Sequence, residues 1–201
     1  STFVPVDQSK KLVLRGTLGF PQDKILCLFV GRFVERKRPD FLLQCWQQLS
    51  DIHEKAELIV VGSGMNQHDS IEDSLPALAA NTPHVCFRDV TDHPENYYQC
   101  CDMLLLPSSR EGQPNVLMEM MACGNPVIGS DIAGIRELLI HGKSGLLFPP
   151  HDAEQFKLHI RTLILDSELR FKLGSMAREI IVKEKNLDVV LKQYIQLYEK
   201  L

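Results

Sequence analysis

Apolar residues along this chain fall into short continuous runs separated by longer amphipathic stretches, and that alternation predicts its elements. Residues 8–19 read as a short helix with Leu12, Leu14 and Leu18 on its apolar side and Gly19 near its end. ILCLFV at 25–30 is apolar throughout, bounded by Asp23 and Gly31, as expected of a strand buried on both faces. A glycine-led basic turn at 31–39 follows, and then Phe41, Leu42, Cys45, Trp46 and Leu49 recur at helical spacing over 40–49. A second strand at 57–61 runs into Gly62-Ser63-Gly64. The segment to Asn81 is helical in part, with Leu75, Leu78 and Ala79 inward, and 85–87 is a short third strand. Further on come a helix at 95–101, a strand at 103–106, a helix at 114–123, a strand at 126–128, a helix at 133–140 and a strand at 145–148. Beyond Asp152 only helices are predicted, at 153–165, 167–183 and 187–200. In the last of these Val189, Val190, Ile195, Leu197 and Tyr198 are spread too widely for one buried stripe.

Strands that alternate with helices make a parallel sheet covered on both faces. The expectation is therefore one α/β domain, a Rossmann-like doubly wound parallel sheet of about six strands with C-terminal helices. A chain of 201 residues, 44% hydrophobic and 24% charged, suits that plan. The net charge of −4 offers no basic surface for nucleic acid or anionic lipid. Cys27, Cys45, Cys86, Cys100, Cys101 and Cys123 contain no C-x-x-C, and read as reduced thiols of a cytoplasmic protein. The seven histidines (53, 68, 84, 93, 141, 151 and 159) lie on separate elements without ligand spacing, and they read as surface residues. No run approaches the roughly 20 apolar residues of a membrane span, no signal peptide is seen, and the missing initiator Met suggests an excised fragment.

Open α/β sheets bind ligands at the carboxyl ends of their strands. Those turns hold Gly31, Arg32 and Lys37; Gly62-Ser63-Gly64; Arg88 and Asp89; Ser108 to Glu111; and Ser130 and Asp131. Arg32 and Lys37 put two cations where phosphate oxygens could be held, although Arg36 and Arg38 make the whole turn basic. Pro114 at a first helical position would leave the amides of Asn115 and Val116 pointing outward at the positive end of the helix dipole. Glu119, further inside that helix, suits the diol of a ribose or simply a solvated helix face. Glu111 suits a sugar's hydroxyls, positive charge at a reacting carbon, or a plain pairing with Arg110. Two rival motifs fail: Gln67 stands where a dinucleotide G-x-G-x-x-G needs glycine, and no G-x-x-x-x-G-K-[ST] exists.

Read together, FVGRFVERKRPDFLL, ELIVVGSG, VCFRDVTD, YYQCCDMLLLPSSREGQPNVLMEMMACGNPVIGSDIAGIRELL and GKSGLLFPPHD resemble, in order, the C-terminal half of a retaining glycosyltransferase of family 4. The likeness includes that family's two glutamates with seven residues between them, here Glu111 and Glu119. It implies the donor-binding half of a two-domain GT-B fold spanning residues 1–201, with the N-terminal acceptor domain absent. By the same resemblance Gly31, Arg32 and Lys37 bind the diphosphate of a UDP- or GDP-linked sugar, helped by the amides of Asn115 and Val116. Glu119 holds the ribose, Glu111 contacts the donor sugar, and the base lies near the Gly62 and Arg88–Val90 turns, largely against backbone, with Val90 among the binding residues. Transfer would retain the anomeric configuration, the departing phosphate taking the acceptor's proton, with Glu111, Arg32 and Lys37 as the catalytic set and no metal. The acceptor, sugar-containing, would bind through the missing half, so the fragment should bind nucleotide without transferring. The full-length protein could associate peripherally with a membrane. The alternatives are a nucleotide-binding or interaction module that lost transfer chemistry, and a GT-B relative that isomerises or phosphorolyses sugars. Gly-Gln-Pro-Asn after Glu111, and Asp89 beside the base, depart from the usual family pattern.

Overall fold

The computed structural model describes residues 2–185 apart from 66 and 81, together with 189, 191, 195 and 198. Six parallel strands form one sheet in the order β3-β2-β1-β4-β5-β6. They are β1 (Ile25–Val30), β2 (Ala56–Val61), β3 (Val85–Arg88), β4 (Met103–Leu106), β5 (Val127–Ser130) and β6 (Gly145–Phe148). The helices are α1 (Gln8–Leu18), α2 (Pro39–Gln47), α3 (Leu75–Ala79), α4 (Pro94–Cys100), α5 (Asn115–Ala122), α6 (Ala133–Arg136), α7 (Ala153–Leu165) and α8 (Ser167–Glu184).

The continuous apolar runs are explained by burial on both faces. Along β1, Cys27 and Phe29 enter a core shared with α2 and α7, while Leu26 and Leu28 enter a second core shared with α4, α5 and α6. The same alternation divides β2 (Leu58, Val60 against Ile59, Val61) and β4 (Met103, Leu105 against Leu104, Leu106). A strand facing water on one side would have needed polar residues at every second position. The first core carries Trp46, fully buried, and the stack of Phe41, Phe148 and Phe156, with Phe148 and Phe156 centroids 4.5 Å apart. Helix α8 bridges the two cores, giving Leu173 to the first and Ala177, Ile180 and Ile181 to the second.

Several expectations are corrected by packing. Helix α1 is held by a cation as well as by its leucines: Leu14 and Leu18 pack against the second core as expected, but Leu12 is exposed, and Arg15 is the buried residue. Arg15 donates to the Cys100 carbonyl (2.9 Å) and to Asp102 (2.7 Å), which also accepts from Lys11 (2.6 Å) and from the Leu26 amide (2.7 Å). His53 and His159 are buried, not on the surface. His53 stacks on Trp46 at 5.7 Å and contacts its carbonyl, and burial depresses the His159 pKa. Pro114 caps α5 in extended conformation instead of opening it. Pro126 precedes β5, which begins at Val127, and the helix expected at 133–140 closes after Arg136 into turns. The expected helix at 187–200 lies for the most part outside the described residues. All six cysteines are free, as expected.

Candidate functional site

The turns that leave the carboxyl ends of β1, β2 and β4 are locked to one another by backbone contacts. The Gly31 amide donates to the Val61 carbonyl (3.1 Å) and the Phe33 amide to the Ser63 carbonyl (3.1 Å). Gly62 has φ 152°, and a Cβ there would lie 1.9 Å from the Gly31 carbonyl oxygen, so only glycine lets the two strand ends meet. On the other side, the Ser109 amide donates to the Arg36 carbonyl at 2.8 Å, tying the turn after β4 to the turn after β1. The loop Glu111–Gly112 in turn rests on α6. A Cβ on Gly134 would meet the Gly112 carbonyl oxygen at 2.0 Å and that of Glu111 at 2.4 Å.

This framework brings Lys37 and Glu111 together. Lys37 Nζ donates to Glu111 Oε1 at 2.6 Å, and the two side chains are only 14% and 9% exposed. Arg110, the plausible local partner of Glu111 by spacing, is exposed. Beside the pair, Gly31, Arg32, Gly62, Val90 and Pro94 are among the residues that line one cavity of about 190 Å³. Arg32 reaches out of it to Gln67, donating at 2.6 Å. Helix α5 begins with the Leu117 amide already bonded to the Pro114 carbonyl (3.1 Å), so the Asn115 and Val116 amides stand outside the helix's own ladder.

Two expected site residues are placed differently from the rest. Arg88 lines the neighbouring cavity of about 550 Å³ rather than the 190 Å³ one. Its carbonyl accepts from the Gly62 amide, while its guanidinium turns away to the Leu18 carbonyl (3.2 Å) and sits over the Phe20 ring at 5.2 Å. Glu119 is half-buried on α5 and does not line the 190 Å³ cavity. Burial and the Glu119 carboxylate together push up the pKa of the Tyr98 phenol on α4, which places that fully buried ring beside the carboxylate. Tyr98 and Gly134 were not singled out by pattern. Both lie within the segment that carries the family resemblance, but neither takes a role from it. The larger cavity of about 550 Å³, between Phe33, Leu75 and Phe87, opens on the other side of Gly62. Among the described residues no group of three or more His, Cys, Asp or Glu side chains is placed to hold a metal ion, and no helix is long and apolar enough to cross a membrane.

The profile described as glycosyl transferases group 1 matches residues 11–180. The chain belongs to that family. The glycosyltransferase chain is similar to a D-inositol 3-phosphate glycosyltransferase of Xylanimonas cellulosilytica, 32% identical over 184 residues, which cover 87% of this chain and 42% of that protein. Its fold matches HepE of Anabaena, solved in complex with UDP-glucose, with a TM-score of 0.88 at 21% identity, covering 99% of this chain and 55% of that one. It also matches the C-terminal domain of a group 1 glycosyl transferase, LpcC of Francisella tularensis, with a TM-score of 0.81 at 18% identity, over 92% of this chain and 97% of that one. The glycosyltransferase chain thus spans about half the length of the first two proteins it matches. Its sheet and flanking helices are the Rossmann-like half of a GT-B glycosyltransferase.

Proposed function

We propose that this chain is the nucleotide-sugar-binding half of a retaining, family 4 glycosyltransferase. The observation that carries the reading is the convergence of Lys37, Glu111, Arg32 and the Gly31–Gly62–Val90 cavity at the carboxyl ends of adjacent strands, in a chain of this family. Charge on a diphosphate is met by Lys37, Arg32 and the amides of Asn115 and Val116, an arrangement that stabilises a departing phosphate without a divalent cation. The base lies in the cavity floored by Gly62 and edged by Val90. Glu119 takes the ribose diol. Glu111 faces the donor sugar, where a carboxylate stabilises positive charge developing at the anomeric carbon. The donor is UDP-linked in this reading, in keeping with the UDP-glucose bound by HepE. The acceptor site belongs to the part of the full-length protein outside this chain, so the chain alone binds donor and does not transfer.

A thermal-shift panel of UDP-, GDP- and ADP-linked sugars tests this, because stabilisation follows affinity. UDP-sugars should raise the melting temperature in a dose-dependent way, and Lys37→Ala should remove most of the effect. A well-folded sample that no nucleotide or nucleotide sugar stabilises would overturn the reading.

A further inference from the structure

Lys37 is not a free cation waiting for phosphate. Its ammonium is already engaged by Glu111 at 2.6 Å, and both side chains are largely withdrawn from water. The engagement is built in from both sides. The Arg36 carbonyl next to Lys37 accepts from the Ser109 amide, and the Glu111 loop lies in contact with Gly134. Neither loop can retreat alone without breaking these contacts. We propose that Glu111 is the resident counter-ion of Lys37, an internal anion that a nucleoside diphosphate must displace, and that this displacement hands the carboxylate over to the donor sugar. The inference rests on the donor-site reading above and concerns how that site is controlled.

The chemistry of the exchange follows from charge. An ammonium shared by two carboxylate-like anions at close range brings those anions into mutual repulsion, so an incoming phosphate and Glu111 compete for Lys37. A diphosphate succeeds because it also recruits Arg32 and the α5 amides, partners Glu111 does not use. A single phosphate group gains fewer of them and competes poorly. Each state keeps Lys37 paired, which avoids the cost of leaving a largely desolvated charge alone. The same step frees Glu111 only when donor is present, so the carboxylate reaches the sugar with its diphosphate already clamped.

The test uses UDP and GDP, which lack the sugar, so that a lost Glu111–sugar contact does not confuse the result. Calorimetric titrations are run on the wild-type chain, on Glu111→Gln, on Lys37→Met and on the double variant, with thermal melts to show each is folded. Glu111→Gln should bind UDP roughly tenfold more tightly than wild type, because a charge-assisted competitor has been replaced by a neutral one. That gain should vanish in the Lys37→Met background, as coupling through a shared partner requires. Glu111→Asp, which keeps the charge but withdraws it by one methylene, should give a smaller gain and serves if the glutamine variant does not fold. Unchanged or weaker UDP binding in Glu111→Gln overturns the inference, as does a gain that persists without Lys37. Lys37-dependent binding that ignores Glu111 overturns the counter-ion role alone. Absence of UDP and GDP binding in every folded protein overturns the donor-site reading and the inference with it.

Discussion

Gly134→Ala is the substitution in which the site's geometry can be checked with one methyl group. The added Cβ would sit 2.0 Å from the Gly112 carbonyl oxygen, about 1.4 Å short of the 3.4 Å at which ordinary contact begins. Ile135 of helix α6 is buried in the second core, so the Glu111–Gly112 loop, with Gly112 exposed, is what moves. A recoil of that size carries Glu111 from 2.6 Å beyond hydrogen-bonding reach of Lys37. Losing one charge-assisted hydrogen bond in a largely buried pair costs about 1.5–3 kcal/mol. Alanine is the better helix former by at most about 1 kcal/mol, and α6 is too short to realise much of that. The net loss is therefore about 1–2 kcal/mol, or a fall of about 2–8 °C in melting temperature for a domain of this size. Differential scanning calorimetry measures the melting change, and titration with UDP and UDP-glucose measures the binding change. UDP affinity should rise, because the competitor for Lys37 has been drawn back, whereas UDP-glucose should gain less or lose affinity, because the carboxylate that shifts is the one facing the sugar. A Gly134→Ala protein that melts at the wild-type temperature and binds both ligands equally well would refute the argument, since it would mean the close approach of α6 to the loop has no consequence.

Other perturbations probe the scaffold and the second glutamate. Asp102→Ala leaves the buried Arg15 guanidinium without its carboxylate, a loss of about 3–5 kcal/mol that should lower the melting temperature by roughly 10 °C; a change under about 2 °C would contradict the anchoring role of that cluster. Tyr98→Phe removes the phenol beside Glu119 and should weaken UDP binding about three- to tenfold with little change in melting temperature. Equal UDP affinity would show that Tyr98 is packing alone. Burial pushes the Cys45 and Cys123 thiols up to about 12 from an ordinary 9.0. Their folded pKa values exceed the unfolded ones, so the native state holds the extra protons, and stability is full below pH 9 and declines as pH rises toward 12. Urea midpoints measured across that range should fall steadily, and these two thiols should resist an aromatic disulfide reagent at pH 8 until the chain is unfolded.

The elements of this fold were legible wherever burial is set by a run or a period. The ILCLFV and Met103–Leu106 strands are apolar at every position because two cores demand it, and the helices α2, α5 and α7 show their buried stripes directly. Glycine and cation at the end of β1, and the two glutamates around α5, pointed to the carboxyl edge of the sheet, where Lys37 and Glu111 meet. What escaped is what depends on two segments meeting. Arg15 reads as a polar position in an amphipathic helix, and only the arrival of Asp102 and the Cys100 carbonyl makes it a buried anchor. His53 becomes interior because Trp46 offers both a ring and a carbonyl. Glu111 has an arginine for a sequence neighbour and a lysine from another loop for its partner. Gly134 is required by backbone atoms from a different turn, a constraint that periodicity does not carry.

The central claim is that nucleotide binds across the carboxyl ends of β1, β2, β3 and β4, with its diphosphate at the start of α5. An amide-resolved NMR titration with UDP tests it most directly. The account predicts saturable shifts centred on Gly31, Arg32, Lys37, Asn115 and Val116, all lost in Lys37→Ala. Shifts confined to the Phe33–Leu75–Phe87 cavity, or no shifts at millimolar UDP, would contradict it.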